Sequence, residues 1–383
     1  MSDFLRIYVL WAHESEEGRR LANLISDHFD GIGMERDGVA VRVPVRFRSE
    51  PWEIDGVIPR TVDLDHADHN VIVVLHDGYM QENAVDWDEF VSAIRSAIDA
   101  RSGADVYVPF GSPDHDPPLK SDSVRHTQYA RRDVWMRTLP DETARDARFL
   151  LHLVFTIRQH LKTIFGGSGD EPLFVSHAKA DGDSTARAVI DYVNDSSHDV
   201  PLQTFYDAME LAPGEDYEAR FVSEISKGTL LAIVSDVYDS RPWCVFELTT
   251  AKRARRPIVL ADVGQVRTSR TYPYGANLPK VRVTPEPGRT GWIEQLLVHT
   301  LSEGLRCDVF GAQALRRAKE AGLDDVLILP RPPELFDLVD STDIGGIIVY
   351  PDPPVGQIEA ELLRKALGLT GRGTDIRTLS EVR

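Results

Sequence analysis

Trp243 and Glu247 lie four residues apart in a stretch, 243–254, whose apolar spacing predicts a helix. Residues at i and i+4 share a helix face, so an indole and a carboxylate here can open onto one crevice. A carboxylate in such a place can stabilise positive charge developing on a sugar, and an indole can pack against a flat ring. The same spacing also fits a solvated glutamate beside a tryptophan that belongs to the core, so spacing alone does not establish catalysis. Cys244, next to Trp243, suggests a thiol nucleophile. No His–Asp partner for it is evident, and free cysteine is more often a small buried hydrophobe.

Other residues lie where ligands bind in α/β sheets, just beyond the carboxyl ends of strands. Ser176 and Lys179 follow the predicted strand 173–176 and can reach polar groups of a ligand. Asp207 follows the predicted strand 202–206, a position where aspartate also caps turns. Pro213-Gly214 marks a loop that would complete a pocket wall. The run from Asp63 to His69 has metal-like residue types, but it reads as a solvated helix end and turn before a strand. His115, between Asp114 and Asp116, sits in a Pro-flanked polar loop, and no metal site is expected. The basic run Lys252 to Arg256 ends a helix, where cations complement the dipole.

These residues need elements to hold them. Thr229 to Val234 (TLLAIV) is apolar throughout, as a parallel strand covered on both faces must be. Around it, strand and helix signals alternate: helices at 184–194, 215–227 and 291–304, and a strand at 257–262. That alternation predicts α/β architecture with flavodoxin-like doubly wound parallel sheets. Residues 1–165 echo the same order. Asn70 to Tyr79 keeps step with Thr229 to Tyr238 at a constant offset of 159, and Ile7 to His13 resembles Leu173 to His177. Aligned this way, Trp11-Ala12 stand for Val175-Ser176. Trp87 stands for Trp243, with Val91 rather than an acid four residues on and Glu89 on another side of its helix. Gly166-Gly167-Ser168-Gly169 separates the two copies, and a second break is expected near Arg306-Cys307. Three units follow: 1–165, 170–305, and a small α/β unit at 307–383 with strands at 325–329 and 347–350 and a helix at 358–367.

The bulk numbers exclude some functions. A formal charge of −18, from 61 acidic and 43 basic residues, disfavours nucleic-acid or anionic-membrane binding. Two cysteines cannot build a disulfide framework. No apolar run approaches the roughly 18 residues needed to span a bilayer, and the start of the chain lacks the charge and apolar core of a signal peptide. A cytoplasmic protein is expected.

Residues 170–305 resemble the bacterial branch of the TIR (Toll/interleukin-1 receptor-like) family. The resemblance rests on three stretches in order: Phe174-Val175-Ser176-His177-Ala178-Lys179-Ala180-Asp181, Phe205-Tyr206-Asp207 with Glu210-Leu211-Ala212-Pro213-Gly214-Glu215, and Val234-Ser235-Asp236-Val237-Tyr238 through Trp243-Cys244-Val245-Phe246-Glu247. It implies tandem TIR-like domains, the first catalytically silent. Some members of this family only self-associate. Others cleave NAD+ between nicotinamide and ribose, giving ADP-ribose or a cyclic derivative, with a carboxylate four residues after a Trp. The resemblance therefore implies Glu247 as the catalytic residue, and Trp243, Asp207, Ser176, Lys179, Pro213 and Gly214 around NAD+ as substrate, with no separate cofactor. It also implies homo-oligomers formed through TIR domains, activation by assembly, a trigger or protein partner received through 1–165 or 307–383, and a part in immune-type antiviral defence. A non-enzymatic scaffold and a nucleotide-sensing binding protein are the alternatives.

Overall fold

The two apolar runs that echo each other, Ala67–Leu75 and Thr229–Val234, each form an interior strand of a parallel sheet, buried along nearly their whole length. The computed structural model describes residues 3–30, 42–114, 119, 128–139, 141–166, 172–205, 217–266, 275–286, 288–339, 346–369 and 375–382. Asp207, Pro213, Gly214, His115 and Asp116 lie outside them.

The first sheet is built from β1 (Asp3–Leu10), β2 (Val45–Arg48), β3 (Ala67–Leu75) and β4 (Val106–Phe110), in the order β2-β1-β3-β4 and all parallel. Its helices are α1 (Glu16–Phe29), α2 (Gly78–Glu82), α3 (Ala84–Ala100), α4 (Arg132–Thr138) and α5 (Glu142–Ile164). Ser15 caps α1 by accepting from Gly18 N–H, and Asp141 caps α5 by accepting from Ala144 N–H. On one face of the sheet, Tyr8, Leu10, Ile72 and Val74 pack on Trp87, Val91 and Ile94 of α3. The connection from β2 to β3 contains no α-helix, only a 3-10 turn at Leu64–His66. The metal-like run from Asp63 to His69 is thus a turn leading into β3.

The second sheet has the order β6-β5-β7-β8-β9, again parallel, the 2-1-3-4-5 order of flavodoxin-like sheets. Its strands are β5 (Pro172–His177), β6 (Gln203–Phe205), β7 (Thr229–Val234), β8 (Ile258–Asp262) and β9 (Lys280–Arg282), with α6 (Asp183–Asn194), α7 (Tyr217–Ile225) and α8 (Pro242–Arg253) between them. A third parallel sheet, β10 (Val326–Ile328), β11 (Ile347–Tyr350) and β12 (Asp375–Thr378), carries α10 (Leu335–Val339) and α11 (Gln357–Leu369). Leu327, Leu338, Ile348, Leu363 and Ile376 form its core.

The chain gathers into two compact units rather than three successive ones. Residues 1–170, 191–201 and 283–305 form the first, and 171–190, 202–282 and 306–383 the second. Buried polar pairs explain why 283–305 joins the first. On α9 (Gly291–Glu320), Glu294 is fully buried and accepts from Arg148 Nε at 3.0 Å and from the Tyr192 hydroxyl. Ser302 meets His28 Nε2 at 2.9 Å. A Cβ at Gly304 would stand 2.3 Å from Arg158 Cζ, so only glycine lets that guanidinium lie against the helix. The helix expected over 291–304 runs on through 306, although a boundary between the two units falls between Leu305 and Arg306. α9 runs for 30 residues until Gly322, at φ +67°, ends it with Leu323 N–H bonded to Ala318 C=O.

Within the second unit, the 252–256 run lies at the end of α8 as expected, but Lys252 is buried there. Its side chain is only 1% exposed, and Nζ pairs with Glu334 Oε1 at 2.6 Å and donates to Ala276 C=O at 3.0 Å. No helix among the described residues is long and apolar enough to cross a membrane.

Candidate functional site

β5 is an interior strand that runs out of the sheet at His177, where the chain turns through Ala178 and Lys179 towards α6. β7, beside it, leads through a 3-10 turn at Tyr238–Ser240 into α8. Pro242 occupies the first turn of α8, where a missing N–H costs nothing. Crevices form where neighbouring strands of a doubly wound sheet send their connections to opposite sides. Here there is a cavity of about 530 Å³, walled by Val175, His177, Lys179, Arg241, Trp243 and Glu247 among others.

Glu247 is 4% exposed, yet it lines the cavity, which places its carboxylate at the floor. Ser176 Oγ donates to Glu247 Oε2 at 2.5 Å, within the range of a charge-assisted hydroxyl–carboxylate bond. The Ser176 proton is thereby committed, so the 2.7 Å contact between Ser176 and Tyr238 has the Tyr238 hydroxyl as donor. A relay of two hydroxyls thus fixes one carboxylate oxygen. Asp181 holds the relay in place, accepting from Ser235 Oγ at 2.6 Å and from Val237 N–H at 3.1 Å, next to Tyr238 in the chain.

Trp243 is at the rim, 38% exposed, stacked on Phe246 at 4.9 Å and edge-on to Phe221 at 5.6 Å. An indole partly exposed at a cavity rim can pack against a flat ring. Lys179 and Arg241 put positive charge on the wall beside the carboxylate. Cys244 is buried, and burial, reinforced by the field of Glu247, pushes its thiol up to about 12. A thiolate is therefore not at hand here.

Of the residues singled out in the sequence, Glu247, Trp243 and Lys179 come together in the cavity wall. Ser176 stands behind it, 1% exposed, its hydroxyl engaged by Glu247 rather than turned to a ligand. Tyr238, Asp181 and Arg241 had no assigned role. All three were visible only as members of the quoted stretches.

The first unit lacks these features. Trp87 is 1% exposed and Val91 is buried in the core, while Glu89 faces solvent. The sheet registers set Val9 beside Val73 and Ser176 beside Ala232, so at the offset of 159 the counterpart of Ser176 is Val9 rather than Ala12. The crevice at the carboxyl ends of β3 and β4, about 340 Å³, is lined by Glu16, Glu17, Asp77, Glu82 and Asp114 against one arginine, Arg132. Such a wall repels phosphate.

No protein-family model matches this chain, and no curated protein matches it significantly.

Proposed function

We propose that the second unit is a TIR-type NAD+ glycohydrolase with Glu247 as its catalytic carboxylate. The observation that supports this most is a buried carboxylate at the floor of an aromatic-rimmed cavity, flanked by Lys179 and Arg241. Nicotinamide in NAD+ is a cationic leaving group, so no acid is required to protonate it. As the C1′–N bond breaks, nicotinamide departs with the bonding pair and positive charge builds on the ribose. Glu247, held on one oxygen by Ser176, stabilises that charge without reorganising. Water then adds to C1′ and loses a proton, giving ADP-ribose, nicotinamide and H+; attack by a ring nitrogen of the adenine would give a cyclic product instead. Trp243 packs on a flat ring, and Lys179 and Arg241 face the phosphates.

In this reading the first unit, without an acid at Val91, is a silent TIR-like partner, and activity depends on assembly of TIR units. The test is NAD+ loss and nicotinamide release, followed by mass spectrometry, from concentrated protein beside Glu247→Gln. Turnover by the first and none by the second supports the reading; equal turnover removes Glu247 from it. Filaments without turnover in either would favour a scaffold.

A further inference from the structure

In the second unit, α7 joins β6 to β7; in the first, the matching connection has no helix. The space beside β2 remains open as a groove of about 790 Å³. Its wall follows from strand alternation. Tyr8 pairs with Arg46 in register, and Arg6 and Arg48 lie two residues along their strands, so all four side chains leave the same face. Arg60 and Arg101 complete a wall of five arginines in a chain whose net charge is −18.

Two of the five are matched by acids. Arg6 pairs with Asp3, and Arg101 pairs with Asp65 and Asp105. Asp63, on the lip, pairs with His66. Arg46, Arg48 and Arg60 make no ion pair among the described residues. Arg46 donates only to its own strand, at Val45 C=O, and Arg48 to Phe47 and Thr61 C=O while lying 5.2 Å over the Tyr8 ring. Arg60 lies 5.2 Å over the ring of Trp52, which is 67% exposed. Burial, together with the positive field of Arg60, Arg46 and Arg6, pushes the Arg48 guanidinium below its ordinary value. Like charges have been gathered without the anion that would balance them.

We propose that this groove binds the phosphate chain of a small polyphosphorylated ligand. Arg46 and Arg48 are spaced about 6.6 Å along the strand, so they suit an extended anion such as a phosphate chain better than a single small anion. A nucleic-acid strand is disfavoured, because the arginines are confined to one groove with Asp63 and Asp65 on its lip rather than laid along a stripe. Such a ligand comes as a nucleoside polyphosphate, with a base to stack near Trp52, or as inorganic polyphosphate.

The test is calorimetric titration of the full chain with tripolyphosphate, with ATP and with a single-stranded 20-mer. It is repeated on Arg46→Glu/Arg60→Glu, two exposed positions, with melting temperature as the check on folding. The expected result is binding of tripolyphosphate and ATP, weakened about ten- to a hundredfold in the variant with its melting temperature unchanged. ATP binding tighter than tripolyphosphate identifies the nucleotide as the source; equal binding identifies the inorganic chain. Absence of binding to both, equal affinity in the variant, ATP binding without tripolyphosphate, or a clear preference for the 20-mer would each overturn the proposal. Because the readout is binding, it stands or falls independently of NAD+ cleavage.

Discussion

Ser176 and Glu247, 71 residues apart in the chain, meet at 2.5 Å with Tyr238 behind the serine. The carboxylate is therefore oriented by a strand end rather than by its own helix. Ser176→Ala removes a bond to a charged group, and such bonds contribute about 1.5–3 kcal/mol. If that orientation serves the transition state, kcat for NAD+ cleavage falls about ten- to a hundredfold with KM little changed. Tyr238→Phe, one step further back, has a smaller effect. A kcat within twofold of the parent for Ser176→Ala would show the relay to be merely structural.

The thiol of Cys244 offers a contrasting prediction. It neighbours Trp243 but is buried, with its pKa raised to about 12. Cys244→Ala should retain turnover, and iodoacetamide at neutral pH should leave Cys244 of the folded protein unmodified. Loss of turnover in a stably folded Cys244→Ala would return the thiol to the mechanism.

Acid should begin to weaken the first unit above the range in which carboxylates titrate. Burial pushes His28 and His76 from the ordinary 6.5 down to about 4. Below pH 6.5 the unfolded chain takes up protons that the folded form refuses until about pH 4, so stability is full above 6.5 and is lost across that window. At pH 5 the loss is roughly 2 kcal/mol for each histidine. Urea unfolding at pH 7.5 and pH 5 should show it, with a smaller difference in His76→Gln. An identical difference in that variant would mean other groups carry the dependence.

Lys252 and Glu334 make the sharpest stability prediction. Burial lowers the Lys252 pKa, and Glu334 opposes that. Glu334→Gln leaves a buried ammonium without its anion, a change that costs about 3 kcal/mol or more. Lys252→Met together with Glu334→Leu should cost less than Glu334→Gln alone. The urea midpoints of the two variants decide it, and the reverse order would mean that the pair itself is a net stabiliser.

Much of the sheet architecture was legible in the sequence, because parallel strands covered on both faces must be continuously apolar. TLLAIV and VIVVL announce themselves, and each forms an interior parallel strand. Glu247 was singled out by its distance from Trp243 together with the resemblance, and it does line a cavity with that Trp. What sets its orientation was not legible, since Ser176 and Tyr238 are ordinary residues until the fold joins them. Buried charged residues were the least legible. Arg148, Glu294 and Lys252 look like solvent-facing positions on amphipathic helices, and only long-range pairing makes them interior. That is why residues 283–305 fall in the first unit. The slip from Val9 to Ala12 has a similar cause: matching residue types at strand ends is weaker than the hydrogen-bond register.

The Lys252–Glu334 contact also bears on how this chain could be inherited. α8 carries Trp243 and Glu247 in its first half and Lys252 near its end, 2.6 Å from a carboxylate that belongs to the C-terminal segment. A recombination event that moved residues 170–305 alone would sever α9 in mid-helix and leave the buried Lys252 ammonium without its carboxylate. The segment bearing Glu247 is tied through Lys252 and α9 to the residues that follow it, so the two are expected to fold together.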